Sequence, residues 1–161
     1  MINYSREVNN SQIDFMLNHL ETFLTNKEYK HQDIHVLIIG LAFKGIPQTN
    51  DIRGSNSIDL FNKIKNKVKR VSGFDLALNS KTNIEGLNLV KDFDSLKEII
   101  GSAHAIFIMN NNPNNISNDF LNWIRPQTFI SDPWCFFRNF DLVRTHNIYY
   151  SNLGKLYFKK K

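Results

Sequence analysis

The chain has 161 residues, a formal net charge of +5, and 42% hydrophobic and 22% charged residues. This length fits one domain with a sizeable core, and the composition is typical of an ordinary globular protein rather than of a disordered one. The single cysteine, Cys135, excludes an intramolecular disulfide and a cysteine-based metal cluster. No apolar stretch approaches the ~20 residues of a membrane helix, and residues 1–10 lack the apolar segment of a signal peptide. We therefore expect a cytoplasmic protein with no membrane partner.

The excess of positive charge does not by itself indicate nucleic-acid binding. The densest basic run falls in residues 63–70, where the cations spread around a helix and no aromatic residue lies between them to stack on bases. The five histidines show no HExxH motif and no paired spacing of metal ligands. We therefore expect neither a nucleic-acid partner nor a metal site.

The first half of the chain alternates helix and strand signals. Residues 8–24 carry apolar side chains at the spacing of an amphipathic helix, which predicts an N-terminal helix. The nearly continuous apolar run over residues 35–39 is typical of a buried parallel strand. A loop over residues 41–54 follows, and Ser55 then has the position of a helix N-cap. A second strand is predicted over residues 68–74.

The second half of the chain continues this alternation. The predicted elements are a helix over 95–100, a strand over 103–109, a short helix over 120–124, a strand over 128–130, a helical stretch around 141–144 and a strand over 147–150. This order predicts an α/β fold, a doubly wound parallel sheet of about five strands with right-handed crossovers. In such sheets ligands bind beyond the carboxyl ends of the strands, which are followed here by loops 41–54, 75–80, 110–115 and 132–138.

The loop after the first strand carries the residues best suited to a phosphate. Lys44 offers a compact cation, Arg53 offers a planar pair of donors, and Asp51 is placed to hold that guanidinium by a charge-assisted pair. Ser55 then begins a helix, whose free N–H groups also favour an anion. The alternative is that both cations simply face solvent, because single basic residues are common in loops. The loop matches neither GxGxxG nor GxxxxGK(S/T), so residue types alone leave both alternatives open.

The full string of this loop resembles the signature of a known family. Residues 40–44 read GLAFK and residues 51–55 read DIRGS. Two motifs of this kind after a strand are similar to the pattern in the C-terminal domain of the UDP-glucose/GDP-mannose dehydrogenase family. Further resemblances follow in register along nearly the whole chain, at Phe74-Asp75, Ser95-Leu96, Asp132-Pro133 and Leu153-Gly154. The resemblance implies a Rossmann-like nucleotide-sugar-binding domain over residues 31–161.

The resemblance also implies a role for each residue of the loop. Phe43 and Lys44 would contact the nucleotide sugar, a UDP-sugar or a related one. Arg53 would reach NAD held by an N-terminal domain, across the cleft between the domains. The residues that would organise the loop and the helix start are Gly40, Asp51 and Ser55. Residues 1–30 resemble the end of the family's central helical domain, and the exposed face of their helix would pack on another domain or on the mate in a homodimer.

The chemistry of the family depends on groups that this chain lacks. Family members oxidise a sugar alcohol with NAD, a cysteine nucleophile and a nearby lysine and aspartate, to make polysaccharide precursors. The resemblance implies that these groups belong to segments before this chain. Cys135 lies between bulky apolar neighbours, Trp134 and Phe136, which disfavour a reactive thiolate, so we interpret it as structural. We expect no catalytic residue here, and NAD only in a complete enzyme.

Three positions depart from the family's pattern. Trp134 stands shortly after the aspartate that ends a strand, where members often have an arginine that helps to hold the nucleotide. Asn110 replaces a common threonine and Leu76 a common proline. These departures favour an alternative function, a non-catalytic binding or regulatory module that retains the fold and binds a protein partner through its N-terminal helix. If the chain is instead a domain of such a dehydrogenase, we expect its partners to be a UDP-sugar and a separate NAD-binding catalytic domain.

Overall fold

A sheet of seven strands with helices on both faces forms the fold. The computed structural model describes residues 2–79, 81–137, 145–153 and 156–157. The helices and strands follow in chain order as α1 (Ile2–Lys27), β1 (His35–Ile39), α2 (Asn56–Ile64), β2 (Arg70–Phe74), β3 (Asn88–Val90), α3 (Phe93–Ser102), β4 (Ala105–Ile108), α4 (Phe120–Trp123), β5 (Phe129–Ser131), β6 (Tyr149–Ser151) and β7 (Leu156–Tyr157). The strands lie side by side in the order β3-β2-β1-β4-β5-β6-β7, and all neighbours are parallel except β7, which is antiparallel to β6.

The prediction of a doubly wound parallel sheet with an N-terminal helix is confirmed. The sheet is larger than predicted because it also contains β3, of three residues, and β7, of two, which are too short to give a periodic pattern. α3 begins earlier than predicted, since Oδ1 of Asp92 accepts the Ser95 N–H at 2.7 Å and caps the helix. The helical stretch predicted around residues 141–144 lies outside the described residues, as do Arg138 and Gly154.

The central strand β1 divides the core into two halves. All five of its residues are buried, and alternate side chains point to opposite faces because a strand has a period of two. Val36 and Ile38 pack with α1 and α2 on one face, whereas Leu37 and Ile39 pack with α3 and α4 on the other. A strand covered on both faces explains why the sequence of β1 is apolar throughout.

α1 covers one face of the sheet. Five of its apolar side chains are at most 4% exposed and share a core with β1, β4 and β5, namely Ile13, Met16, Leu20, Phe23 and Leu24. The rings of Phe23 and Phe129, for example, lie 5.6 Å apart between centroids. These five side chains of α1 are therefore buried against the chain's own sheet. The homodimer and the assignment of residues 1–30 to another domain stay predictions.

The order of the strands places a crevice between β1 and β4. From β1 the chain moves outward to β2 and β3, then crosses to β4 on the other side and continues to β5 and β6. In an open α/β sheet such a reversal opens a crevice beyond the carboxyl ends of the two strands that flank it. The candidate site is therefore built from the loops that follow β1 and β4.

Candidate functional site

At this crevice the β1 loop (residues 40–55) lies directly on the β4 loop (residues 109–119). A Cβ atom on Gly40 would lie 2.5 Å from Oδ1 of Asn110, and one on Gly45 would overlap the backbone nitrogen of Asn112. Gly40 also has a φ of +86°, in the left-handed region that favours glycine. The two glycines therefore let the backbones of the two loops touch, and protein fills the floor of the crevice.

A buried carboxylate joins three loops beneath this contact. Oδ2 of Asp75, which follows β2, accepts the backbone N–H of Ala42 at 2.9 Å and Nδ2 of Asn110 at 3.0 Å. Its Oδ1 accepts the backbone N–H of Ala77 at 2.9 Å. Asp75 and Asn110 are 5% and 4% exposed, so these hydrogen bonds are shielded from water. The β1 loop is thus held in place from the ends of both neighbouring strands.

The asparagine-rich β4 loop is an ordered network of hydrogen bonds. Oδ1 of Asn111 accepts the backbone N–H groups of Gly45 and Ile46 at 3.2 and 3.1 Å, which fixes the start of the β1 loop. Oδ1 of Asn115 accepts the backbone N–H of Leu76 at 2.9 Å, and so ties the β4 loop to the end of β2. Neither residue could be singled out from the sequence, because an asparagine's partners depend on which loops the fold brings together.

The tip of the β1 loop presents an aromatic ring and a cation to solvent. The backbone N–H of Phe43 donates to the carbonyl of Asp51 at 2.8 Å, which closes the loop on itself. The Phe43 side chain is 51% exposed, and Nζ of Lys44 lies 5.6 Å from the centre of its ring. The structure therefore brings both residues predicted to contact a nucleotide sugar to the exposed end of the loop.

Arg53 and Asp51 form a two-point ion pair. Nε and Nη2 of Arg53 donate to Oδ1 and Oδ2 of Asp51 at 2.9 and 2.7 Å, and the backbone N–H of Arg53 also donates to Oδ1. Hydrogen bonding to the arginine lowers the pKa of Asp51 from 3.8 to about 2, and the carboxylate in turn raises the pKa of Arg53. The Arg53 side chain is 89% exposed, so its remaining N–H groups face solvent in a fixed orientation.

Ser55 is the N-cap of α2. Its Oγ accepts the backbone N–H of Ser57 at 3.3 Å, and Oγ of Ser57 donates to the carbonyl of Leu41 at 3.0 Å. The two hydroxyls therefore join the first residues of the β1 loop to the start of α2. The amino end of a helix carries a partial positive charge, so α2 adds to the anion-attracting character that Lys44 gives this edge of the sheet.

A cleft of about 680 Å³ opens beside the β1 and β4 loops. Its lining contains no charged side chain and consists of Gln48, Leu76, Phe93, Pro113, Asn114, Ile116, Ser117 and Asn118. The volume is that of a small-molecule site, and the mixture of amides with apolar side chains suits an uncharged part of a ligand. Of these residues the sequence analysis named only Leu76.

Within the described residues, no three His, Cys, Asp or Glu side chains come close enough to hold a metal ion. No helix in that same part of the chain is both long and apolar enough to cross a membrane.

Residues 37–139, which include both loops, match the model of the UDP-glucose/GDP-mannose dehydrogenase family, UDP binding domain. The chain belongs to this family. The matched segment begins within β1 and ends after the loop that follows β5. The family assignment therefore covers the whole candidate site and confirms the resemblance inferred from GLAFK and DIRGS. No curated protein matches the sequence.

Solved structures of dehydrogenases share the fold. UDP-D-ManNAc dehydrogenase from Pyrococcus horikoshii is 21% identical with a TM-score of 0.63, and the match covers 95% of this chain and 33% of that one. NDP-N-acetyl-D-galactosaminuronic acid dehydrogenase from Methanosarcina mazei Go1 is 17% identical with a TM-score of 0.70, over 94% and 31%. GDP-mannose dehydrogenase from Pseudomonas aeruginosa is 17% identical with a TM-score of 0.56, over 84% and 31%. The chain thus spans about a third of the length of these three proteins.

The β5 loop (residues 132–137) carries this chain's main departure from the family's pattern. Trp134, the residue that departs from the pattern described above, is 48% exposed at the carboxyl edge of the sheet. Cys135 follows it, partly buried and with a φ of +56°. The described part of this loop, residues 132–137, contains no basic side chain.

Proposed function

We propose that this domain binds the UDP part of a nucleotide sugar at the exposed tip of the β1 loop. The observation that carries the proposal is the exposed cation Lys44 at the tip of the β1 loop, a loop that ends at the N-cap of α2, within a segment that matches a UDP binding domain. A diphosphate at this loop would pair with the ammonium of Lys44, and the partial positive charge at the amino end of α2 would attract it further. Phe43, exposed beside Lys44, would cover the sugar or ribose.

We further propose that the domain works as part of an NAD-dependent nucleotide-sugar dehydrogenase in the cytoplasm, in the synthesis of polysaccharide precursors. The chain spans about a third of the dehydrogenases that share its fold, so NAD and the catalytic groups would come from a separate segment or chain. Arg53 is suited to meet that cofactor, because Asp51 holds its guanidinium while other N–H groups remain exposed. The domain alone would bind its ligand without turnover.

The second candidate is a non-catalytic module that binds a protein. It is favoured by the group of large apolar side chains that stay exposed along the carboxyl edge of the sheet, namely Phe43, Ile46, Leu76, Trp134 and Leu153. Exposed apolar side chains gathered on one edge are typical of an interaction surface. This surface is a second place for such a contact, besides the N-terminal helix.

Isothermal titration of the chain with UDP, UDP-glucose and UDP-N-acetylglucosamine tests the first proposal. We expect binding of all three, and a loss of affinity of roughly tenfold to a hundredfold in Lys44→Ala, as for a charge-assisted hydrogen bond to phosphate. Lys67→Ala is the matched control, because it removes the same charge from an exposed position after α2, away from the carboxyl edge. The proposal is wrong if none of the three binds, or if Lys44→Ala binds as the wild type does.

A further inference from the structure

The β5 loop displays a large aromatic side chain that is half exposed to solvent. Trp134 is 48% exposed, although most large apolar side chains of the chain are buried. The other tryptophan, Trp123, is the last residue of α4 and packs, partly buried, against the core on that face of the sheet. The exposed part of this indole contributes nothing to the hydrophobic stabilisation of the fold.

The turn that carries Trp134 is fixed on both sides. Before it, the backbone N–H of Asp132 donates to the carbonyl of Ser151 at 2.7 Å, and the N–H of Cys135 closes the turn on the carbonyl of Asp132 at 3.1 Å. Oδ2 of Asp132 accepts the backbone N–H of Phe137 at 3.0 Å and the hydroxyl of Tyr150 at 2.8 Å. The Asp132 carboxylate is completely buried, so these bonds are not exchanged for water.

A second anchor lies just beyond the turn. The ring of Phe137 stacks on that of Phe120 in α4, with centroids 5.4 Å apart and planes inclined by 20°. The backbone around Trp134 is therefore ordered before any ligand arrives. A side chain presented on an ordered turn binds at a lower entropic cost than one on a mobile loop.

The β4 loop lies between the β1 loop and the turn that carries Trp134. β4 lies between β1 and β5, so the ends of β1 and β5 are two strand spacings, or about 10 Å, apart. A nucleoside diphosphate bound with its phosphates at Lys44 would extend across the β4 loop and bring its base toward the β5 loop. The described residues of the β5 loop offer that base an aromatic face and no cation.

We propose that Trp134 is a specificity residue that stacks on the nucleobase of the bound nucleotide. This inference rests on the proposed function, because it assumes that a nucleotide occupies the carboxyl edge. The exposed indole offers a planar face on which a base can stack, so the base is held by stacking and needs no cation beside it. Affinity then depends on the presence of a planar base and not on phosphate alone.

Tryptophan fluorescence of the Trp123→Phe chain tests the inference, because Trp134 is then the one remaining indole. We expect saturating UDP to quench and shift this emission, and inorganic pyrophosphate, which has no base, to leave it unchanged. If UDP binds by calorimetry while the emission of Trp134 does not change, the base lies elsewhere and the inference is wrong.

Affinities of two variants complete the test. We expect Trp134→Ala to lower the affinity for UDP about tenfold or more and Trp134→Phe to retain most of it, with pyrophosphate affinity equal in both, since a base–aromatic stack contributes ~1–3 kcal/mol. Equal UDP affinity of Trp134→Ala and the wild type would overturn the stacking role alone. Failure of the wild type to bind UDP at all would overturn the proposed function, and this inference with it. Melting temperatures of the variants check that the turn still folds.

Discussion

Asp75 and Asn110 are hydrogen-bonded across the end of β1, Nδ2 to Oδ2 at 3.0 Å, although each follows a different strand on either side of it. The same Oδ2 accepts the backbone N–H of Ala42 in the β1 loop. Because both side chains are buried, these hydrogen bonds fix the position and the direction of the β1 loop where it leaves the sheet. The geometry of the proposed phosphate site therefore depends on a carboxylate that itself lies beneath the surface.

Replacement of that carboxylate is expected to cost both stability and binding. Asp75→Ala leaves the backbone N–H groups of Ala42 and Ala77 without an acceptor, and should lower the free energy of unfolding by about 2–4 kcal/mol. Urea denaturation measures this loss, and titration with UDP should show weaker binding. Asp94→Ala, at an exposed position in α3, is the control and should change stability by less than about 1 kcal/mol. Equal effects of the two substitutions would contradict the role of Asp75.

Two glycines of the β1 loop, Gly40 and Gly54, differ in how closely other atoms approach them. Gly40→Ala places a methyl group 2.5 Å from Oδ1 of Asn110 in addition to the strain of a φ of +86°, and should cost about 2–5 kcal/mol. Gly54 has a φ of +69° but faces open space, so Gly54→Ala should cost only about 1–2 kcal/mol. Thermal denaturation of the two variants compares them. If Gly54→Ala proves as destabilising as Gly40→Ala, the close approach of the two loops is not the reason for glycine at position 40.

Asn111 offers a way to disturb the binding loop with little effect on the core. Its Oδ1 holds the backbone N–H groups of Gly45 and Ile46, next to Lys44 and close to solvent. Asn111→Ala should therefore lower stability by no more than about 1 kcal/mol, while UDP affinity falls severalfold because the loop tip loses its fixed position. Asn66→Ala, in the exposed turn after α2, should change neither quantity. Unchanged UDP affinity in Asn111→Ala would show that the β4 loop does not position the site.

A cluster of polar side chains around His35, near the amino ends of β1 and β2, makes the stability of the fold depend on pH. His35 is 6% exposed, and its Nε2 accepts from Nε of Arg70 at 3.3 Å and contacts Oγ of Ser72 at 2.9 Å. Burial, followed by the charge of Arg70 and by His104, lowers the pKa of His35 from 6.5 to about 4. Because Nε2 must stay unprotonated to accept from Arg70, the folded state requires the neutral imidazole.

The direction of the effect follows from that lowered pKa. Between pH 6.5 and about 4 the unfolded chain takes up a proton on His35 that the folded chain does not, so stability is complete above this range and falls as the pH decreases through it. We expect a loss of about 1–2 kcal/mol between about pH 7 and about pH 4.5, measured by urea denaturation. His35→Gln should show a smaller loss, whereas His146→Gln should behave as the wild type. Equal pH dependence in all three proteins would contradict this account of His35. Burial lowers the pKa of His19 and His104 as well, which acts in the same direction.

The sequence predicted those features of the fold that depend only on the residues of one short segment. The apolar run of β1, the N-cap Ser55 and the glycine at position 40 each report a local requirement of the backbone, and the structure places all three where the pattern indicates. Features that depend on distant partners could not be read in this way. Asn115 is one of several similar residues until the fold brings it beside Leu76.

For the N-terminal helix, too, the sequence did not show which part of the molecule it packs against. Its apolar stripe predicted the helix, but a stripe does not say which surface will cover it, and here the chain's own sheet does so. Trp134 was visible in the sequence only as a departure from a family pattern. Its exposure and the ordered turn beneath it, which give that departure a physical meaning, appear only in the structure.

We propose above that the carboxyl edge around the β1 loop binds a uridine nucleotide. Chemical-shift mapping of the 161-residue chain during titration with UDP is the most direct test of that binding. We predict that the perturbed amides cluster in residues 43–46 and 55–57, together with the indole N–H of Trp134. Perturbations confined to the basic segment 63–70 at the far end of α2, or no perturbation at saturating UDP, would contradict the account.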